Sequence, residues 1–185
     1  AQNPSYAMRC LGSDADGVAD LLDDFVSGMR EGGLSVTLKT FPGIGNVSAD
    51  VTESIAENTD SLMTIRDTNF VPYASGIQAG ADCVMVSNAA YSKLTVKKVP
   101  AFMSQDIVTK LLREELGFDG IVMTSPLNDN VIENNYTNEF AVVEAVKAGC
   151  DLIVLPGNFK ECYEALITAV EEGRIDEKVM SRLPH

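Results

Sequence analysis

The residue inventory decides first which chemistries are open. The chain has 185 residues and one histidine, His185, which is its last residue. That excludes an internal histidine acid/base, a Ser-His-Asp triad, a Cys-His dyad and a histidine-ligated zinc site. Cys10, Cys83, Cys150 and Cys162 are widely separated, with no CxxC spacing. They read as buried free thiols, with a disulfide pair left open. No metal site and no cofactor are expected. Lys93, Lys97 and Lys98 form the one basic cluster, which reads as a solvated turn or a partner-binding patch. Asn46-Val47-Ser48 and Asn135-Tyr136-Thr137 are glycosylation sequons of a kind that arises by chance. The formal net charge of -13 repels phosphate backbones, so nucleic acid is not an expected partner.

The elements that must hold these residues follow from the hydrophobic pattern. No apolar run reaches the ~20 residues that span a bilayer. The opening AQNPSYAM has neither a basic nor an apolar signal-peptide region, so no signal peptide is expected in the stretch as given. Ser13 reads as the N-cap of an amphipathic helix carrying Val18, Leu21, Leu22, Phe25, Val26 and Met29, ended by Gly32-Gly33. Residues 34–41 read as a strand stopped by Pro42-Gly43, and residues 44–58 as a long loop. A helix is expected over 68–79, then a strand over 82–87 that is apolar on both faces, as buried parallel strands are. Beyond it come a short extended piece at 99–103 and a helix over 105–116 capped by Ser104. The series closes with a strand at 120–124, a helix at 139–148, a strand at 151–155 and helices at 159–172 and 176–182. Met8, Met63, Met85, Met103 and Met123 read as core filler. The alternation implies an α/β protein with a mainly parallel sheet, in one domain over residues 1–185. Such folds place their chemistry at the C-terminal ends of the strands. The segments to search are therefore 40–58, 87–98, 104–106, 124–138 and 156–158.

At those strand ends the sequence resembles a known family. Lys39-Thr40-Phe41-Pro42-Gly43-Ile44-Gly45 resembles the KHFPGHG motif of glycoside hydrolase family 3, the β-N-acetylhexosaminidase and β-glucosidase family. Asn3-Pro4 with Arg9-Cys10-Leu11-Gly12-Ser13-Asp14 is similar to its NP…RSFGSD segment, and Val84-Met85-Val86-Ser87-Asn88 to its VM-x-x-H strand. Residues 112–122 resemble its LR-x-ELGFDGVV segment, residues 145–152 its A-x-x-AGAD-L strand, and Gly173-Arg174-Ile175-Asp176-Glu177 the start of the helix after the barrel. The hexosaminidase branch is the nearer one. The resemblance implies a partial TIM-like (β/α) barrel, equivalent to the family's fourth to eighth strands, since a whole barrel needs ~250 residues. Five strands without the first three would leave two open edges and an uncovered inner face.

The same resemblance implies a damaged site. The family's nucleophile position is Ser125, in Thr124-Ser125-Pro126-Leu127, and its D-x-H acid/base pair is Asp50 with Thr52. A serine without an activating base is a poor nucleophile, and threonine moves no proton at neutral pH. The family's remaining histidines correspond to Thr40, Ile44 and Asn88. Arg9 and Lys39 survive at sugar-contact positions, where donor-only side chains suit acceptor oxygens; an ion pair with Asp50 is the plainer alternative. Asp106, Asp129 and Glu133 fall in mouth loops, as solvated charges or as a replacement carboxylate pair.

These readings imply a β-N-acetylhexosaminidase-like domain that is catalytically inactive or a fragment, with residual carbohydrate contact through Arg9, Lys39, Thr40 and Asn88. An active β-N-acetylglucosaminidase/β-glucosidase and a self-associating structural module are the alternatives. The expected partners are an N-acetylglucosamine-type sugar and either a second copy or the missing half-barrel. The sequence does not fix the setting; a bacterial secreted or cell-envelope one is favoured over the cytoplasm.

Overall fold

The computed structural model describes Asn3 and residues 9–180 of the chain. Pro4, Met8, His185 and the end of the helix expected to reach residue 182 lie outside the described residues. Three short strands, β1 (Thr37–Phe41), β3 (Cys83–Val86) and β5 (Ile121–Thr124), form one parallel sheet in the order β1-β3-β5. A second parallel pair joins β2 (Glu57–Asn58) to β4 (Ala90–Tyr91). The helices are α1 (Ala15–Glu31), α2 (Leu62–Asp67), α3 (Phe70–Gln78), α4 (Asn130–Glu133), α5 (Asn138–Ala148), α6 (Phe159–Glu171) and α7 (Glu177–Met180). A single 3-10 turn spans Ala101–Met103, and a π-type helix spans Asp106–Glu115. In the π-type helix the Leu116 N–H closes on the Leu111 carbonyl, five residues back. No described helix is long and apolar enough to cross a membrane.

Alternation along the strands sets the two faces of the sheet. Leu38, Val84, Val86 and Val122 are buried, and each fully buried valine contributes about 1.5–3 kcal/mol. Leu38 packs so closely on Gly76 of α3 that a Cβ there would lie 2.8 Å from its Cδ1. The opposite face carries Thr37, Lys39, Cys83, Met85, Ile121 and Met123, all exposed or half-buried. Register aligns Lys39, Met85 and Met123 in one row across the three strands. Leu152, Leu155, Phe159 and Tyr163 add exposed apolar surface beyond β5.

Two ion pairs of the same design fix the starts of the strands. Asp82 accepts from Val36 N (2.9 Å) and from Arg30 Nη1 (2.5 Å), at the end of α1. Asp151 accepts from Val122 N (2.8 Å) and pairs with Arg113 of the π-type helix. Arg113 also donates to the carbonyls of Phe118 (3.0 Å) and Gly120 (2.6 Å). Each carboxylate thereby ties its own strand to the one beside it and to the helix that precedes that neighbour.

Several expectations change. The N-cap of α1 is Asp14, which accepts from Gly17 N, and not Ser13. The helix expected over 68–79 is α3, and a further helix that the periodicity does not indicate, α2, precedes it from its Ser61 cap. The loop over 44–58 ends in β2, and the extended piece at 99–103 is the 3-10 turn. The strand expected at 151–155 is reduced to one bridge, Met123 with Leu152. There the Val154 N–H donates to the Thr124 hydroxyl at 3.1 Å, so a side chain replaces the ladder carbonyl. Met63 is 65% exposed, and Met85 and Met123 face the open side of the sheet, so the methionines are not uniformly core. Cys150 and Cys162 are buried as expected, Cys83 is half-buried and Cys10 is exposed; no disulfide joins them.

The side chains of Arg113 and Asp151 are 17% and 15% exposed, against 49% and 32% for the bidentate surface pair Arg66–Glu115. Removing one partner of a pair so enclosed leaves the other charge and a backbone N–H unmatched. Asp151→Ala is expected to lower unfolding stability by about 3 kcal/mol in urea titrations. Arg66→Ala is expected to cost only about 0.5 kcal/mol. Equal losses would contradict this account of the sheet.

Candidate functional site

The candidate site lies at the C-terminal ends of β1, β3 and β5, and it begins with how β1 ends. Phe41 is fully buried, stacked on Phe70 (5.6 Å) and edge-on to Tyr73 (5.1 Å), which anchors the strand beneath the mouth. Lys39–Thr40 and Phe41–Pro42 are cis peptide bonds. The turn that follows is fixed from three directions. Asn69 donates to Pro42 O at 3.0 Å, Tyr91 donates its hydroxyl to Gly43 O at 2.9 Å, and Asn3 N donates to Gly45 O at 3.1 Å. Gly43 has φ 116°, and a Cβ there would meet Asn69 Nδ2 at 2.3 Å, so glycine is required.

The loop after this turn brings Asp50 and Thr52 to the mouth. Asp50 Oδ1 accepts both Thr52 N (2.9 Å) and Thr52 Oγ1 (2.8 Å). Thr52 O accepts from Val131 N at 2.8 Å, and Glu53 accepts from Asn130 Nδ2 at 2.8 Å. These bonds dock the loop on the start of α4, beside Asp129. Asp129 Oδ2 in turn accepts from Asn88 Nδ2 at 2.8 Å, across from the end of β3.

Each expected site residue can now be placed. Ser125 is buried, and both its N–H (2.9 Å) and its hydroxyl (2.8 Å) donate to Val86 O. Its hydroxyl proton serves the β3–β5 junction. Ile44 has joined the core at 6% exposure. Thr40 is buried, and its hydroxyl has no partner among the described residues; the same holds for Asn88 Oδ1. Lys39 is depressed from the usual lysine range, first by burial and then by Arg9, while Asp129 acts the other way. Arg9 and Lys39 therefore share the mouth with Asp129, Asp50 and Glu53.

Of the three loop carboxylates only Asp129 belongs to the site. Asp106 pairs with Lys110 one turn along the same helix, at 2.6 Å, and Glu133 is exposed. Asp129 is pushed above the usual carboxylate range, chiefly by burial. The Asn88 hydrogen bond opposes that shift, Asp50 and Glu53 add to it, and Lys39 opposes it. In the basic cluster Lys98 pairs with Glu57 at 2.8 Å. Among the described residues no group of three or more His, Cys, Asp or Glu side chains is placed to hold a metal ion. The coupling of Asp129 to Asn88 is what sequence reading missed. Its only signal was a carboxylate four residues beyond Ser125 at a strand end.

Comparison with known proteins gives this arrangement relatives. The family model described as glycosyl hydrolase family 3 N terminal domain matches residues 1–183. A β-hexosaminidase of Xylella fastidiosa is 31% identical over 153 residues, 83% of this chain and 45% of its own length. The chain thus spans less than half the length of that curated relative. Among solved structures, a glycoside hydrolase family 3 β-N-acetylglucosaminidase from Paenibacillus superposes with a TM-score of 0.93 at 33% identity, over 98% of this chain and 35% of that one. A β-N-acetylhexosaminidase from Beutenbergia cavernae gives 0.82 at 31% identity, over 98% of this chain and 54% of that one.

Proposed function

The chain belongs to the glycosyl hydrolase family 3 N-terminal domain family, and on that premise we propose a β-N-acetylhexosaminidase-like domain that contacts carbohydrate without cleaving it. One observation carries the reading: the residue at the family's nucleophile position, Ser125, spends its hydroxyl on Val86 O. A retaining glycosidase needs a carboxylate there, about 5–5.5 Å from its acid/base. Thr52, at the acid/base position, is likewise bound to Asp50. What survives is a set of contacts, with Arg9 and Lys39 as donors and Asp129 and Asp50 as acceptors. An N-acetylglucosamine-type sugar fits that set, because its hydroxyl and acyl groups offer both donors and acceptors.

The test is a purified chain offered a chromogenic N-acetylglucosaminide. No release above background is expected, and Ser125→Ala is expected to leave that baseline where it is. N-acetylglucosamine is expected to perturb amide resonances around residues 39–53 and 88–129, with binding weakened about tenfold or more in Lys39→Ala. Release that disappears in Asp50→Ala or Asp129→Ala would overturn the reading in favour of an active hydrolase.

A second reading rests on the uncovered face of the sheet. Met85, Met123 and Ile121 are half-buried there, and Leu152 and Leu155 are exposed beyond β5. This supports an arc of a (β/α) barrel, equivalent to the family's fourth to eighth strands, whose inner face is covered by further β/α units or by a second copy. The 185-residue chain alone is expected to associate in light scattering or to bind an apolar dye. A monodisperse monomer with no dye signal would speak against an uncovered face.

A further inference from the structure

We propose that Asp129, set in place by Asn88, is the group of this mouth that reads a hydroxyl-bearing ligand, with Lys39 as its donor counterpart. The inference rests on the carbohydrate reading above and adds to it a residue that stands at neither catalytic position of the family resemblance.

Asp129 occupies the N-cap position of α4, yet its side chain accepts no N–H of that helix. A carboxylate in that place ordinarily accepts from the first turn. Here it turns to Asn88 across the mouth, at 2.8 Å. Asn88 is 1% exposed, so the amide that holds Asp129 is itself held by packing. That burial has a cost, because Asn88 Oδ1 has no partner among the described residues, nor has the Thr40 hydroxyl at the end of the neighbouring strand. Two unmatched polar atoms, each more than nine-tenths buried, lie beneath one mouth. A bound polyhydroxy ligand, or water ordered by it, would supply what they lack. A core amide with half its capacity unmatched calls for an explanation of this kind.

The chemistry of the pair matches a sugar ring. Asp129 bonds Asn88 through Oδ2, and its Oδ1 has no donor among the described residues. A carboxylate only accepts and an ammonium only donates, whereas a hydroxyl does both. Neighbouring hydroxyls can therefore donate to Asp129 and accept from Lys39. The groups facing Asp129 come from each element around it: Lys39 from β1, Asp50 and Glu53 from the loop after β1, and Asn88 from the end of β3. Arg9 faces Lys39 in turn. Burial, Asp50 and Glu53 favour the protonated carboxyl, and Asn88 and Lys39 favour the ionised one. Accepting from Asn88 through Oδ2 and from a ligand hydroxyl through Oδ1 leaves no place for a proton between them, which favours the ionised form. Binding should thus be full above the raised Asp129 transition and decline as pH falls through it. Asn88→Ala removes a bond to the ionised form, so the acid limb should move to higher pH.

The experiment measures binding of N,N′-diacetylchitobiose by calorimetry from about pH 4 to 8, the range above an ordinary Asp pKa of about 3.9. Wild type, Asp129→Asn and Asn88→Ala are compared, with circular dichroism as the folding control. Asp129→Asn is nearly isosteric and still accepts from Asn88, so its fold is not at risk. It is expected to bind at least about tenfold more weakly at neutral pH and to lose the acid limb. Asn88→Ala is expected to shift that limb upward. If Asp129→Asn keeps wild-type affinity and profile, the inference falls and the carbohydrate reading stands. If only the Asn88→Ala limb fails to move, positioning by Asn88 is overturned. Absence of binding by wild type at every pH removes the carbohydrate reading and this inference with it.

Discussion

A parallel sheet has no hairpins to set its register, so something must fix where each strand begins. Here an arginine–carboxylate pair does so twice. Asp82 ties Val36 to Arg30, and Asp151 ties Val122 to Arg113. Both pairs sit at the starts of their strands, and the candidate site sits at the other ends. With strands of four or five residues there is little length over which a shift in register at the start can be absorbed. The row Lys39–Met85–Met123, and the approach of Asn88 to Asp129 beyond it, follow from that alignment.

On this frame the residues at the family's motif positions are joined by hydrogen bonds. Where the family resemblance expects histidines, Ile44 packs in the core, Thr52 closes on Asp50, and Asn88 holds Asp129. None of these side chains exchanges a proton near neutral pH. Ser125 follows the same logic, because its hydroxyl reinforces the junction that its own N–H already makes with Val86. Lys39, Asp129, Asp50 and Arg9 share the mouth, and the proposed carbohydrate contact draws on them as complementary donors and acceptors.

Much of this was legible in the sequence, and the physical reasons for the rest are specific. The α/β order was readable because glycines end the helices and apolar runs mark β3 and β5. Strand length was not readable at residues 151–155, where a threonine on the neighbouring strand intercepts the N–H that a ladder would use. The start of α2 depends on the Ser61 cap, a local bond that periodicity does not register. At the site, residues 39–45, 50, 52, 88 and 125 were found through the family motif. Asp129 reads from sequence as a solvated loop charge or as half of a replacement carboxylate pair, because its bond to Asn88, 41 residues away, leaves no local signal. The turn supports Asn69 and Tyr91 were missed for the same reason, since each acts through a long-range bond to a backbone carbonyl.

The central proposal is that this family 3 domain presents no group placed to attack a sugar. Its most direct measurement is covalent trapping. A deactivated fluorosugar forms a stable glycosyl-enzyme with any retaining nucleophile, and intact-protein mass spectrometry reads the adduct. The chain is predicted to keep its unmodified mass after prolonged incubation. An added glycosyl mass that maps to Ser125, Asp50 or Asp129 would contradict the account.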